Sequence, residues 1–441
     1  MFVLSINKEE CKMRLELHKV HIKGLDFAEK THVKNGVLYV NKEEAEALVA
    51  EDRNFSKVSI DFARPGEKTR IIPVKDAVEP RVKIGKGNYF PGFMAPMEKA
   101  GNGETLVLDG AAVVTCGPIV AFQEGFIDMS GPAAPYSPFS ETYNIVLSVK
   151  PVEDLEKHLY ETSLREAGLK LAVYLARCAE ENGAKADEVA VFEKGDTFEE
   201  SQKYPDLPKV IYVCMNITQG LLHDTYLYAA DLRPSLPTLI HPNEVLDGAM
   251  VSGNCVSACD KNTTWHHCHN PIVQALYARH GKEINFLGMV PTQESTVLAG
   301  KIRASQMNLS IAQQLGADGV IVSEEGYGNP DTDLCLNAKN FENAGIKAVL
   351  VSDESAGTDG ASQSLADATP ELTGFISTGN VNEMIEVPAM DKVIGYPESI
   401  AVLSGGAEES LRPDGSMYVE LQSIIASTAE IGFNKLGCEW V

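Results

Sequence analysis

The sequence predicts an α/β protein: a β-rich N-terminal region, then doubly wound parallel-sheet units that are Rossmann-like but bind no dinucleotide. Three observations carry this. The last third alternates short apolar runs with helix-length amphipathic stretches in the order β-α-β-α-β. The first 150 residues alternate apolar and polar side chains over short spans broken by Pro and Gly. Hydrophobic residues make up 44% and charged residues 23% of the 441, which suits an ordinary globular chain with a large core.

Residues 13–150 form the expected β-rich domain. "LELHKVHIKG" reads as a half-buried strand, "NGVLYVN" as a second strand after a turn, and "KEEAEALVAED" as a short helix. "KVSIDFARPGEKTRIIPV" reads as two strands joined through Pro65-Gly66. "ETLVLDGAAVVTCGPIVAF" is strand-like, and "MSGPAAPYSPFS" is a Pro-rich loop. Residues 151–254 form an α/β region. It opens with a long helix whose apolar face is Leu155, Leu159, Ala167, Leu171 and Leu175. "KVIYVCMNI" then has the continuous apolar run of a buried strand.

Residues 255–441 form the C-terminal α/β domain. "INFLGMVPT" is a strand and "TVLAGKIRASQMNLSIAQQLGA" a helix, with Leu298, Ile302, Met307, Ile311 and Leu315 inward and Gly316 at its end. "DGVIVSEEG", "DTDLCLNAKNFENAG" and "KAVLVSDE" continue as strand, helix and strand. Ligands of such sheets sit beyond the carboxyl ends of the strands, here "SEEGYGNPDTD" and "SDESAGTDGASQS". Both are also ordinary polar loops in composition. "GYGNP" matches neither glycine-rich nucleotide fingerprint, so no nucleotide is expected. The periodic pattern begins at Met13. Lys8-Glu9-Glu10 can be encoded by a purine-rich ribosome-binding sequence just upstream, so residues 1–12 are expected to be a non-native extension.

A net charge of −24, from 62 acids and 38 bases, argues against nucleic acid. Nine cysteines, an odd number, without a signal peptide point to free thiols in a reducing cytoplasm. No apolar run reaches the ~18 residues of a membrane span.

The stretch "SGNCVSACDKNTTWHHCHN" is the densest in chemistry. Cys255, Cys259, His266, His267, Cys268 and His269 are soft ligands suited to zinc or an iron–sulfur cluster. Their spacing is not that of paired knuckles. A catalytic thiolate would need a cation such as a protonated His266 or His267 beside Cys255. A buried structural cysteine beside a Gly-Asn turn is a third reading. The fourth is self-cleavage. The Cys255 thiol attacks the carbonyl of Asn254, shifting the peptide bond to a thioester, and elimination and hydrolysis leave a pyruvoyl group on the new N-terminus. Gly253 allows the backbone geometry. Spacing alone leaves all four open.

Longer blocks add a resemblance. "MRLELHKVHIKG", "NGVLYVNKEE", "ARPGEKTRIIPVKDAVEPRVK", "AFQEGFIDMSGP", "QGLLHDTYLYAADLRPSLPT", "HPNEVLDGAMVSGNCVSACDK", "EEGYGNPDTDL" and "PAMDKVIG" resemble the α/β proprotein of component B of glycine, sarcosine and betaine reductases. The likeness covers nearly everything after Met13. It implies cleavage at Asn254–Cys255, with Cys255 as the pyruvoyl precursor, into a chain of up to 254 residues and one of 187. It also implies a hetero-oligomer with a selenocysteine-containing subunit of component B. Selenoprotein A is a further expected partner, with component C and thioredoxin acting indirectly. The expected reaction is reductive C–N cleavage of an amino acid, leading to acetyl phosphate and ammonia. No metal or nucleotide cofactor is expected.

A pyruvoyl carbonyl is an electrophile toward primary and secondary amines. Glycine is therefore the first substrate, sarcosine the second, and betaine, whose nitrogen is quaternary, the last. Betaine would also favour an aromatic cage, and Trp265 is the one nearby Trp. Arg233 and Arg303 are candidate carboxylate-binding cations. Glu325, Asn329 and Asp333, with His266 and His267, are candidate pocket residues. A non-enzymatic α/β binding or scaffold protein with a structural cysteine cluster is the rival reading.

Overall fold

β1 (Met13–Lys19) buries Met13, Leu15 and Leu17, the period-two pattern of a half-buried strand. The computed structural model that shows this describes residues 12–85, 87–220, 222, 225–253, 262–406 and 410–433. After a turn at Asn35-Gly36, Val37–Val40 is a strand. α1 (Lys42–Ala50) then starts on the Asn41 side chain, which accepts from Glu44 N. β2 (Phe55–Ala63) and β3 (Thr69–Val78) follow one another through Pro65-Gly66 but are not paired. Next come β4 (Arg81–Ile84), β5 (Gly103–Val107) and β6 (Ala111–Cys116). β5 and β6 divide the single strand-like run at Gly110, whose φ of 81° makes the turn. β7 (Gly125–Asp128) and β8 (Tyr143–Pro151) complete the region.

α2 (Lys157–Glu181) packs Tyr160, Leu164, Ala167, Leu171 and Leu175 against this region. Leu159 is 46% exposed and Leu155 precedes the helix, against expectation. Leu159 falls well off the stripe that the other five define.

β9 (Glu188–Lys194) returns to pair antiparallel with β1, giving a sheet of order β9-β1-β5-β4. The second sheet runs β7-β3-β6-β8-β2, with β15 (Lys392–Gly395) lying parallel beside β3. The third sheet is built from β10 (Lys209–Asn216), β11 (Asn285–Gln293), β12 (Gly319–Ser323), β13 (Lys347–Glu354) and β14 (Phe375–Asn380). Its order is β11-β10-β12-β13-β14 and every pairing is parallel. Order reverses between β10 and β12, the switch point of a doubly wound sheet. The expected α/β class is thus the observed one.

α3 (Thr264–Cys268) lies in the long β10–β11 connection. α4 (Leu298–Leu315) and α5 (Asp331–Asn343) make the next two crossovers. Leu334, Ala338 and Phe341 of α5 join Ala312 of α4 over Val213, Val290, Val322 and Leu350 of the sheet. Each fully buried large side chain is worth about 1.5–3 kcal/mol. The inward face of α4 matches the expected one only toward its C-terminal end, where Ile311 and Leu315 pack half-buried against this core. Lys301, Ala304, Ser305, Asn308 and Ala312 are buried, whereas Leu298 and Ile302 are 59% and 39% exposed. Small and amide side chains let α4 approach α5, where Asn308 donates to Asn337 Oδ1 (3.0 Å) and Asn340 donates to Ser305 Oγ (2.6 Å). Among the described residues, no helix is long and apolar enough to cross a membrane.

Candidate functional site

The Gly-Asn-Cys stretch belongs to the connection that leaves β10 and returns at β11. Asn254, Cys255 and Cys259 lie outside the described residues, but the chain on both sides is firmly held. Upstream, Ser252 N donates to Thr264 Oγ1 (2.9 Å). Thr264 in turn donates from N and Oγ1 to the two carboxylate oxygens of buried Asp76, at 2.9 and 2.7 Å. Downstream, Asn262 N donates to Glu325 Oε1 (2.9 Å), while Ile217 N donates to Glu325 Oε2 (2.8 Å). Glu325 is fully buried. It therefore ties the exit of β10 to the first described residue after the predicted cut, at the sheet's switch point.

Thr263 caps α3, and its hydroxyl lies 2.8 Å from His266 Nδ1. The His266 ring packs among Phe139, Trp265 and Phe433. Burial, with His267 and His269 nearby, pushes its pKa down to about 3, so it is neutral at pH 7. His267 is also buried. His269 stacks on Trp265 and meets Glu79 Oε1 at 2.9 Å. Burial pushes the Cys268 thiol up to about 12 despite Arg81 nearby, which rules it out as a ready thiolate. Trp265 is 8% exposed and sits inside this packing rather than at a cage mouth.

Beyond the carboxyl ends of the strands lies a buried acidic edge. Glu294 follows β11, Glu324 and Glu325 follow β12, Asp331 and Asp333 open α5, and Asp353 ends in β13; all are buried. Glu325 N donates to Glu294 Oε1 at 3.1 Å. Ser352 donates to Glu324 Oε2 at 2.7 Å. Burial, reinforced by neighbouring carboxylates, pushes the pKa of Glu294 and Glu324 well above the usual range. The buried Lys301 ammonium binds Asp333 Oδ2 and the Asn329 carbonyl (2.9 Å). Burial raises Asp333 to about 6 even with this partner.

Of the residues expected from sequence, Glu325 and Asp333 share this edge. Asn329 is exposed and reaches it through its carbonyl. His266 and His267 are on α3, one turn from the Thr263–Asn262 anchor. Arg303 is exposed on α4, and Arg233 donates to the carbonyls of Gly220 and Leu222. Sequence reasoning missed Glu294, Glu324, Lys301 and Asp76. Glu294 and Glu324 stand directly after apolar strand runs, and that position is the signal that could have found them. Among the described residues, the one trio of possible metal ligands within 4.8 Å of each other is Glu16, His18 and Glu104, on β1 and β5.

The sequence profile of the glycine/sarcosine/betaine reductase component B subunits matches residues 13–439. The chain belongs to this family. It is thus a component of a reductase, and the non-enzymatic scaffold reading is set aside. The chain is 51% identical to the glycine reductase complex component B subunits alpha and beta of Acetoanaerobium sticklandii, over 96% of this chain and 99% of that one. It is equally, 51%, identical to the sarcosine reductase complex component B subunit alpha of Peptoclostridium acidaminophilum, over 96% and 99%. A more distant relative, at 23% over 78% of this chain and 55% of that one, is the D-proline reductase proprotein PrdA of A. sticklandii. No solved structure matches the chain.

Proposed function

We propose that this chain is the proprotein of the substrate-binding, pyruvoyl-containing subunits of a glycine reductase component B. It self-cleaves at Asn254–Cys255 and takes part in reductive C–N cleavage of glycine with a selenocysteine partner subunit. The observation that carries this is the end-to-end likeness to glycine reductase component B subunits alpha and beta. The proprotein name of the D-proline reductase relative supports maturation by cleavage. The products are acetyl phosphate and ammonia, formed through selenoprotein A and component C, with thioredoxin as the indirect reductant, in the cytoplasm. Sarcosine is the second reading, favoured by a relative of equal identity.

The surroundings suit such a group. A pyruvoyl carbonyl on Cys255 would supply an electrophile for the substrate amine. Glu325 and Asp76 fix the backbone on either side of the stretch that carries it. His266, neutral and buried, adds no positive charge that would repel a cationic nitrogen. The acidic edge favours a cationic nitrogen over an anion.

Purified from cells that also make its partners, the protein should run as two pieces on a denaturing gel. The smaller should carry a reducible carbonyl at its N-terminus, and Cys255→Ala should abolish both cleavage and carbonyl. A single uncut wild-type chain without carbonyl would sink the proposal. Consumption of sarcosine in preference to glycine by the assembled complex would move the assignment to the second reading.

A further inference from the structure

Glu294, Glu324 and Asp333 each keep one buried carboxyl oxygen without a hydrogen-bond partner among the described residues. Asp333 is paired with Lys301 and Glu324 with Ser352, whereas the Glu294 carboxyl takes only a backbone N–H. Its Oε1 accepts Glu325 N at 3.1 Å, and its backbone is fixed on both sides. Glu294 N donates to Asn216 O (3.1 Å), and the Thr218 hydroxyl donates to Glu294 O. Its Oε2, fully buried, has no hydrogen-bond partner among the described residues. A buried carboxyl oxygen without a partner costs about 1–3 kcal/mol, so an unfilled acceptor in a well-packed edge calls for a donor.

The charges around it say which donor. Glu324 and Glu325 face it from the end of β12, and Asp333 from α5. Asp331 and Asp353 stand behind Glu324. The cation of this edge, Lys301 on α4, is committed to Asp333 and the Asn329 carbonyl. The field at Glu294 Oε2 is therefore that of several carboxyls, and it attracts a cation. A divalent ion needs several oxygens drawn round one point. Among the described residues, no three of these acids bring ligand atoms within 4.8 Å of one another. An ammonium nitrogen needs no such cage, because each N–H takes a single oxygen.

We infer that Glu294 is the ammonium-binding residue of the amino-acid site, taking the N–H of a small amino acid with a primary or secondary amine. This rests on the proposed function, which puts an amine substrate at this switch point. Burial among neighbouring carboxyls favours the protonated form of free Glu294. On binding, the Glu294 carboxyl gives that proton to solvent and its carboxylate pairs with R–NH3⁺, so one proton leaves for each amine bound. Glycine and sarcosine both carry an N–H in their ammonium forms. Betaine carries none and cannot make the bond, so the same oxygen discriminates against it.

Calorimetry of the full chain, produced with its partners, tests this with glycine as the probe and buffers of different ionisation enthalpy. Wild-type protein should release about one proton per glycine, and its affinity should rise with pH. Glu294→Gln keeps the shape and the bond from Glu325 N, so it should fold with an unchanged or higher Tm. It should bind glycine about tenfold or more weakly, with no proton release and a flat pH profile. Acetate, which lacks the amine, should bind wild type and variant alike. Equal affinity and equal proton release in E294Q would overturn the subsite and leave the proposed function standing. A wild-type protein that binds neither glycine nor sarcosine would overturn both. Magnesium or potassium bound in a way that glycine cannot displace would also overturn it.

Discussion

In the mixed N-terminal sheets, most buried charges come as opposite pairs. Arg70 makes a two-pronged contact with Asp128 at 2.7 and 2.8 Å. Lys75 pairs with Glu124, Arg81 with Glu79 at 2.5 Å, and Lys83 with Asp247 at 2.5 Å. At the carboxyl edge of the parallel sheet the described residues include six buried acids and one buried lysine, Lys301, which is committed to Asp333. The first region resembles a neutralised lattice and the second a standing excess of one sign. Paired buried ions lock geometry at little net gain in stability. An unbalanced set must hold protons or attract a cation, which is the usual mark of a site. The contrast separates the part of the molecule that holds shape from the part prepared to bind.

The contrast can be broken most severely in the paired region. Arg81 is fully buried and also donates to the Leu246 carbonyl (2.6 Å). Arg81→Met leaves buried Glu79 with His269 alone and the Leu246 carbonyl without its donor, and should cost about 3–5 kcal/mol, read as a lower denaturation midpoint. A loss under roughly 1 kcal/mol would mean that the pair is no structural lock.

Glu325→Gln is the next test. Its amide nitrogen cannot accept from a backbone N–H, so either Ile217 or Asn262 loses its partner. A loss of about 1–3 kcal/mol is expected, together with slower cleavage of the chain on a gel. Cleavage at the wild-type rate would show that anchoring of Asn262 is irrelevant to maturation.

The smallest effect is in pH dependence, and its sign differs between the two regions. His269 and Arg81 hold Glu79 down at about 2 against the opposing effect of burial. Its contribution is present above the unfolded pKa of 4.5 and is lost as pH falls toward 2. Burial raises Glu294, so the folded protein keeps a proton that the unfolded chain releases above 4.5. Stability then declines as pH rises from that value. Relative to wild type, Glu294→Gln should gain stability, and the gain should grow as pH rises above 4.5. A gain that shrinks with rising pH would contradict the assignment of a buried, protonated acid.

Much of the parallel sheet was legible because its strands are continuous apolar runs set between helix-length segments. The face of α4 was legible only at its C-terminal end, where Ile311 and Leu315 meet the core. Its polar contacts with α5 are made by Lys301, Ser305 and Asn308, while its exposed N-terminal turn carries Leu298 and Ile302, so hydrophobic periodicity misplaces the face there. The cross-region pairings, β9 with β1 and β15 with β3, join residues at least 169 positions apart, and nothing local encodes them. At the site, Glu325 could be picked out from a polar loop after a strand. Lys301 could not, because a lysine in an amphipathic helix reads as solvated surface. Only the fold reveals that it faces Asp333.

One consequence concerns β10. This strand lies upstream of the predicted cut, yet it sits between β11 and β12, which lie downstream. β15, also downstream, is laid along β3 in the upstream half. Breaking the Asn254–Cys255 bond would release an end without releasing a piece. The two products would stay interlaced like the halves of a split protein that were never apart. Each small chain would be born already married to its own large one, and no molecule could trade partners without first coming undone.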